Sequence, residues 1–130
     1  MPTIIRQTVT FAAGPKVIYE MLMDSRKHAK FTGGAASISR RVGGRVSAYA
    51  GYATGTNIEL VPNRKIVQSW RGSDWPAGHV STVTIVLSPV RGETKLSFTQ
   101  AGVPEDQFEA IRKGWKEFYW EPMRAMIRGG

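Results

Sequence analysis

Few side chains in this 130-residue chain could do covalent or acid–base chemistry. Cysteine is absent, so there is no thiol nucleophile, no thiolate metal site and no disulfide framework. The two histidines are His28 and His79. His28 stands in a basic stretch with Arg26, Lys27 and Lys30, and His79 follows the run Trp75-Pro76-Ala77-Gly78. Neither has a His-x-x-x-His partner, so no zinc-like spacing exists. Serines and threonines alternate along strand-like runs, and none sits in a nucleophile elbow. The glycine-rich turns lack both a phosphate-cradling GxxxxGK(S/T) run and a strand-embedded GxGxxG. The expectation is a protein that is not an enzyme and carries no metal or cofactor.

The remaining chemistry is apolar recognition. Trp70, Phe98, Trp115, Tyr119 and Met123 could wall a hydrophobic cavity, with Phe11, Ile18 and Ile58 as further walls. The same side chains could instead fill a core completely, and sequence does not measure leftover volume. A polar anchor for a ligand would come from Tyr119, Gln68 or Arg112. Arg112 falls within an apolar arc, where it either snorkels outward or meets a carboxylate. Trp75, beside Pro76, is either a plug over the cavity mouth or a docking residue. Together with Trp120 and the basic edge it would make a partner surface.

The element that must position these groups is the stretch from Pro104 to Gly130. At ~100° per residue, Phe108, Ile111, Trp115, Phe118, Tyr119, Pro122, Met123 and Met126 fall within an arc of ~140°. Glu109, Lys113, Glu117, Glu121 and Arg124 take the other face, and Trp120 is expected on that polar side, partly exposed. A helix from Glu105 to Arg128 would run ~36 Å at ~1.5 Å per residue. Pro122 removes a backbone donor and is expected to bend its last turns.

Such a helix needs a broad apolar surface, and the preceding chain reads as strands. Thr3 to Phe11 alternates, with Ile5, Val9 and Phe11 on one parity. Gly14-Pro15 breaks the strand and opens a short helix ending near Asp24, and Ser25 to Phe31 forms another, closed by Gly33-Gly34. Ala36–Arg41, Arg45–Ala50, Tyr52–Val61, Lys65–Trp70, Thr82–Leu87 and Lys95–Thr99 then read as consecutive strands, with Ile58 and Leu60 expected on the inward parity of theirs. The predicted architecture is α+β: an antiparallel meander curled around a long C-terminal helix, with two short helices after the first strand. One domain over residues 1–130 is expected.

Hydrophobic content of 42% argues for an ordered globule. No run approaches the ~20 apolar residues of a membrane span, and no secretory signal is visible, so the expected setting is cytoplasmic with no membrane partner. Net charge of +8 invites an acidic partner. The basic residues are scattered, with small clusters at Arg26, Lys27, Lys30 and at Arg40, Arg41, Arg45. No nucleic-acid module accompanies them, so no nucleic-acid partner is expected and an acidic protein surface stays open.

The run Val42-Gly43-Gly44-Arg45, followed by Ile58-Glu59-Leu60-Val61-Pro62-Asn63-Arg64-Lys65-Ile66-Val67-Gln68-Ser69-Trp70-Arg71, resembles the START-like, helix-grip superfamily. More closely, Trp75-Pro76-Ala77-Gly78-His79, Thr82–Leu87, Gly92–Leu96, Gly102-Val103-Pro104 and Gly114-Trp115 with Tyr119 are similar to the C-terminal domain of activators of the ninety-kilodalton heat-shock-protein ATPase. The resemblance implies the helix-grip fold. Across the superfamily it implies a small hydrophobic ligand held between sheet and helix. Within the subgroup it implies a chaperone partner of the ninety-kilodalton heat-shock type, and with it a place in the stress response. In eukaryotic members a separate N-terminal domain supplies much of the grip on the chaperone, and these 130 residues hold no counterpart of it. A few branches of the superfamily are cyclases or hydrolases, and fold alone does not choose among these roles.

Overall fold

The computed structural model describes residues 4–129. Strand β1 (Ile4–Phe11) buries Ile5, Val9 and Phe11, the parity the alternation predicts. Helix α1 (Pro15–Met23) opens on Pro15, whose missing N–H falls where no intrahelical partner exists. Asp24 ends α1 and caps α2 (Ser25–Thr32), its carboxylate accepting from the Lys27 backbone N–H at 3.0 Å. Gly33 closes α2 in the left-handed region, φ 78°.

Six strands follow: β2 (Ser37–Ile38), β3 (Arg45–Ala48), β4 (Ala53–Val61), β5 (Lys65–Gly72), β6 (Ser81–Val90) and β7 (Glu93–Ala101). They pair antiparallel in chain order and β1 joins β7, giving the seven-stranded order β1-β7-β6-β5-β4-β3-β2. The long C-terminal helix lies on the curved sheet, so the fold is the α+β helix grip. The strand expected over residues 36–41 shrinks to two residues. The Asn57 side chain explains this, because its Nδ2 donates to the carbonyls of Ser39 and Arg41 at 2.7 and 2.9 Å and so occupies acceptors a ladder would use.

Asn57 also corrects the reading of β4. The register against β5 runs Asn57↔Gln68 and then Glu59↔Val67, so Ile58 is an extra residue in a β-bulge. The bulge turns Asn57 inward, at 1% exposure, and leaves Ile58 half exposed. Ile58 is therefore not a wall of the interior, whereas Leu60, beyond the bulge, packs against the core.

The C-terminal helix begins with a 3₁₀ turn (Glu105–Gln107) and continues as α3 (Phe108–Trp115), a π-helical stretch (Lys116–Trp120) and α4 (Glu121–Arg128). The π stretch has a visible cause. Pro122 lacks the N–H that would bond the Phe118 carbonyl, and in a tight α-turn its ring would meet that carbonyl. The turn widens instead, Glu121 N–H reaching Lys116 O, and the Tyr49 hydroxyl donates to the released Phe118 carbonyl at 3.0 Å. A π turn holds about one residue more than an α-turn, so every later side chain is rotated against the regular pattern. This overturns two expectations. Trp120, expected on the polar side, is buried at 3%, and Phe118, expected on the apolar face, is 53% exposed.

Candidate functional site

Trp115, Tyr119, Trp120 and Met123 face the sheet and are all buried. Trp115 packs on Phe98 and Tyr119 with ring centroids 4.5 Å apart in each case, and it meets Trp70 at 5.3 Å. A small void of about 20 Å³ beneath the helix is bordered by Trp70, Gln68, Trp115, Tyr119 and His28. That is room for about one water molecule. Phe98 and Met123 belong to the packed core without bordering the void.

Polar side chains on inward parities are each given a partner, as burial demands. Trp115 Nε1 donates to Gln100 Oε1 at 2.7 Å, and Gln100 Nε2 donates to Ser81 Oγ at 2.9 Å. Gln68 Nε2 donates to Asn57 Oδ1 at 3.0 Å. Gln7 ties β1 to the helix, accepting from Trp120 Nε1 at 2.6 Å and donating to the Arg112 carbonyl at 2.9 Å. His28, although it stands among exposed basic residues, is buried. Its Nδ1 lies 3.0 Å from the Leu22 carbonyl and its Nε2 lies 2.8 Å from the Tyr119 hydroxyl. The neutral tautomer with hydrogen on Nδ1 satisfies both contacts, donating to Leu22 O and accepting from Tyr119. Burial lowers the His28 pKa below its usual value, and burial likewise holds the Tyr119 phenol well above its own.

Of the proposed polar anchors, Gln68 and Tyr119 border the void. Arg112 does not. Its guanidinium points outward, half exposed, and both Nε and Nη2 donate to Glu109 Oε2 at 3.1 and 2.9 Å. An arginine inside an apolar arc can lift its charged head to water, and no carboxylate ligand is needed to account for it.

Trp75 is also buried, so neither it nor Trp120 forms an exposed docking patch. Arg71 fixes the 72–78 loop by donating to the carbonyls of Trp75 and His79 at 2.9 and 3.0 Å, and His79 Nε2 lies 2.7 Å from the Gly102 carbonyl. A methyl group added at Gly72 would meet Trp75 Nε1 at 2.6 Å and the Tyr52 hydroxyl at 2.7 Å, so glycine lets Trp75 lie down on the strand. Between this loop and α3 runs an open groove of about 320 Å³, lined by Tyr49, Tyr52, Trp70, Trp75, Ile111, Trp115 and Phe118 among others. Four of the seven residues proposed from sequence, Trp70, Trp75, Trp115 and Tyr119, border it.

Residues that sequence reasoning missed are Gln7, Asn57, Gln100 and Tyr49. The first and third carried a signal: each is an amide on a strand parity otherwise occupied by apolar side chains, in a chain rich in tryptophan. Among the described residues no three His, Asp or Glu side chains converge as metal ligands, and no helix is long and apolar enough to cross a membrane.

The family described as activator of Hsp90 ATPase homolog 1-like protein matches residues 12–128. The human activator of 90 kDa heat shock protein ATPase homolog 1 is 31% identical over 115 residues, covering 88% of this chain and 34% of the relative. The Dictyostelium discoideum homolog is 37% identical over 108 residues, covering 82% and 28%. The chain thus spans about a third of the length of the curated relatives it matches. Among solved structures, an HSP90 activator from Plasmodium falciparum superposes with a TM-score of 0.91 at 24% identity, covering 95% of each chain, a likeness of fold. A protein from Chromobacterium violaceum superposes with a TM-score of 0.80 at 28% identity, covering 97% of each.

Proposed function

This chain belongs to the activator of Hsp90 ATPase homolog 1-like family, and on that premise we propose that it is a non-enzymatic docking domain that binds a chaperone of the ninety-kilodalton heat-shock type and raises its ATPase rate. The observation that carries this reading is the filled interior. The void bordered by Gln68, Trp70, Trp115, Tyr119 and His28 is about 20 Å³, room for about one water and not for a ligand, which supports this reading. Recognition then falls to the outer surface, whose net charge of +8 suits an acidic partner. The test is the chaperone's ATPase rate with and without this protein at low and moderate salt. Stimulation that weakens as salt rises is expected, because exposed charges are screened. Absence of both stimulation and co-purification at either salt would sink the reading, and salt-independent stimulation would remove its electrostatic part alone.

A second reading, a small hydrophobic ligand, draws on the open aromatic groove beside Trp75 and Phe118. Its 320 Å³ lies at the lower end of the ~300–1,000 Å³ of ordinary ligand pockets. Titration of fatty acids and aromatic probes against tryptophan fluorescence decides it, and a flat response removes it. A cyclase- or hydrolase-like activity has less support. Its polar candidates, His28 and Tyr119, are paired to one another beside a void that admits no substrate.

A further inference from the structure

A concavity larger than the groove beside Trp75 lies outside the helix grip, on the flank where α1, α2 and α4 meet. Its volume is about 1040 Å³. The floor is apolar, built by Val17 and Met21 of α1, Phe31 of α2, and Met126 and Ile127 of α4. Val17 is half exposed on it. The rim is basic: Lys16, Arg26, Lys27 and Lys30 all line the groove and are exposed. Among the described residues none of the four has a carboxylate within ion-pair distance. The one acidic side chain lining the groove, Glu20, is already taken by Arg40 at 2.6 Å, and the neighbouring Asp24 caps α2. The rim therefore presents four cations around an apolar trough without internal compensation.

We propose that this groove receives an acidic amphipathic helix of a partner protein, its apolar stripe on Val17, Phe31, Met126 and Ile127 and its carboxylates against Lys16, Arg26, Lys27 and Lys30. Three observations select that occupant. The site, about 1040 Å³ and at the upper end of the ~300–1,000 Å³ of small-molecule pockets, is an open trough between helices, the shape that takes a helix by its i, i+3, i+4 and i+7 side chains. The rim is of one sign, so a second copy of this +8 chain would bring like charges together. The apolar residues form the floor of a concavity, where a flat bilayer surface does not reach them, so a lipid surface fits less well than a helix. The inference rests on the docking reading given above, and not on the identity of the chaperone.

The probe is a fluorescein-labelled synthetic helix with leucines at i, i+3, i+4 and i+7 and glutamates between them, followed by fluorescence anisotropy. It should bind the wild-type chain and weaken as salt rises. Binding should fall at least about tenfold in the double variant Lys27→Glu, Lys30→Glu and, separately, in Val17→Asp, which attacks the floor instead of the rim. All three positions are exposed, so thermal unfolding should be close to that of the wild type. No binding, or equal binding to wild type and variants, overturns the proposal, even if the wild-type chain still stimulates the chaperone. Two further results overturn it: groove-dependent binding to phosphatidylserine–phosphatidylcholine vesicles without peptide binding, or self-association that the variants abolish. Peptide binding as expected, with no effect of the wild-type chain on the chaperone, would remove the chaperone reading and leave the groove.

Discussion

Beneath the long helix, Trp115, Tyr119 and Trp120 close on the sheet and leave about 20 Å³, with their polar atoms answered by Gln100, His28 and Gln7. On the flank of α1, α2 and α4, Val17, Phe31, Met126 and Ile127 floor about 1040 Å³ of open trough ringed by four cations. The first region spends its large apolar side chains on cohesion, and the second leaves Val17, Met126 and Ile127 at least partly exposed, where another molecule can use them. What remains available for recognition faces outward.

The contrast breaks most directly at Trp115. Trp115→Ala should destabilise the fold by about 3–5 kcal/mol in chemical denaturation, because it removes the central ring of the cluster and orphans Gln100 Oε1. A loss under about 1 kcal/mol would mean the helix is not held by this ring. Gln7→Leu should cost about 1–3 kcal/mol, since Trp120 Nε1 and the Arg112 carbonyl both lose their partner. Urea midpoints read this change.

His28 sharpens the same contrast through pH. Burial lowers its pKa below the usual 6.5, so the unfolded chain binds a proton more readily than the folded one. Its contribution to stability is therefore full above about 6.5 and is lost as pH falls. Melting temperatures measured from pH 8 down to 5 should decline less steeply in His28→Gln than in the wild type, and identical slopes would remove His28 as a source of the decline. The smallest effect is expected at Tyr49→Phe. It leaves the Phe118 carbonyl without its donor at a partly exposed site, about 0.5–1.5 kcal/mol at most.

The architecture was legible because its signals are local and periodic. Alternation marks β1, β6 and β7, Pro15 and Gly33 punctuate the short helices, and the apolar stripe announces the C-terminal helix. What failed were the places where one residue is inserted into a regular element. The bulge at Ile58 and the π turn before Pro122 each add a residue, and each reverses which neighbours face inward. Pro122 marks a disturbance in the helix, and a proline can be met by a bend or by a widened turn. The choice of the widened turn draws on Tyr49 and Gln7, 73 and 115 positions upstream of Pro122. The filled interior was not legible either, since volume depends on how rings from four elements interlock. The basic rim was visible as Arg26, Lys27 and Lys30, but its apolar floor required α4 to fold back against α1 and α2.

Nitrogen-15 NMR of this chain titrated with the chaperone separates the two regions in one experiment. Docking through the outer flank predicts shifts at backbone amides of α1, α2 and α4, while the indole N–H signals of Trp115 and Trp120 stay in place. Shifts at those two indoles, with α1 and α2 unmoved, would mean that the interior opens to its partner and that the filled grip is not the state in which this chain works.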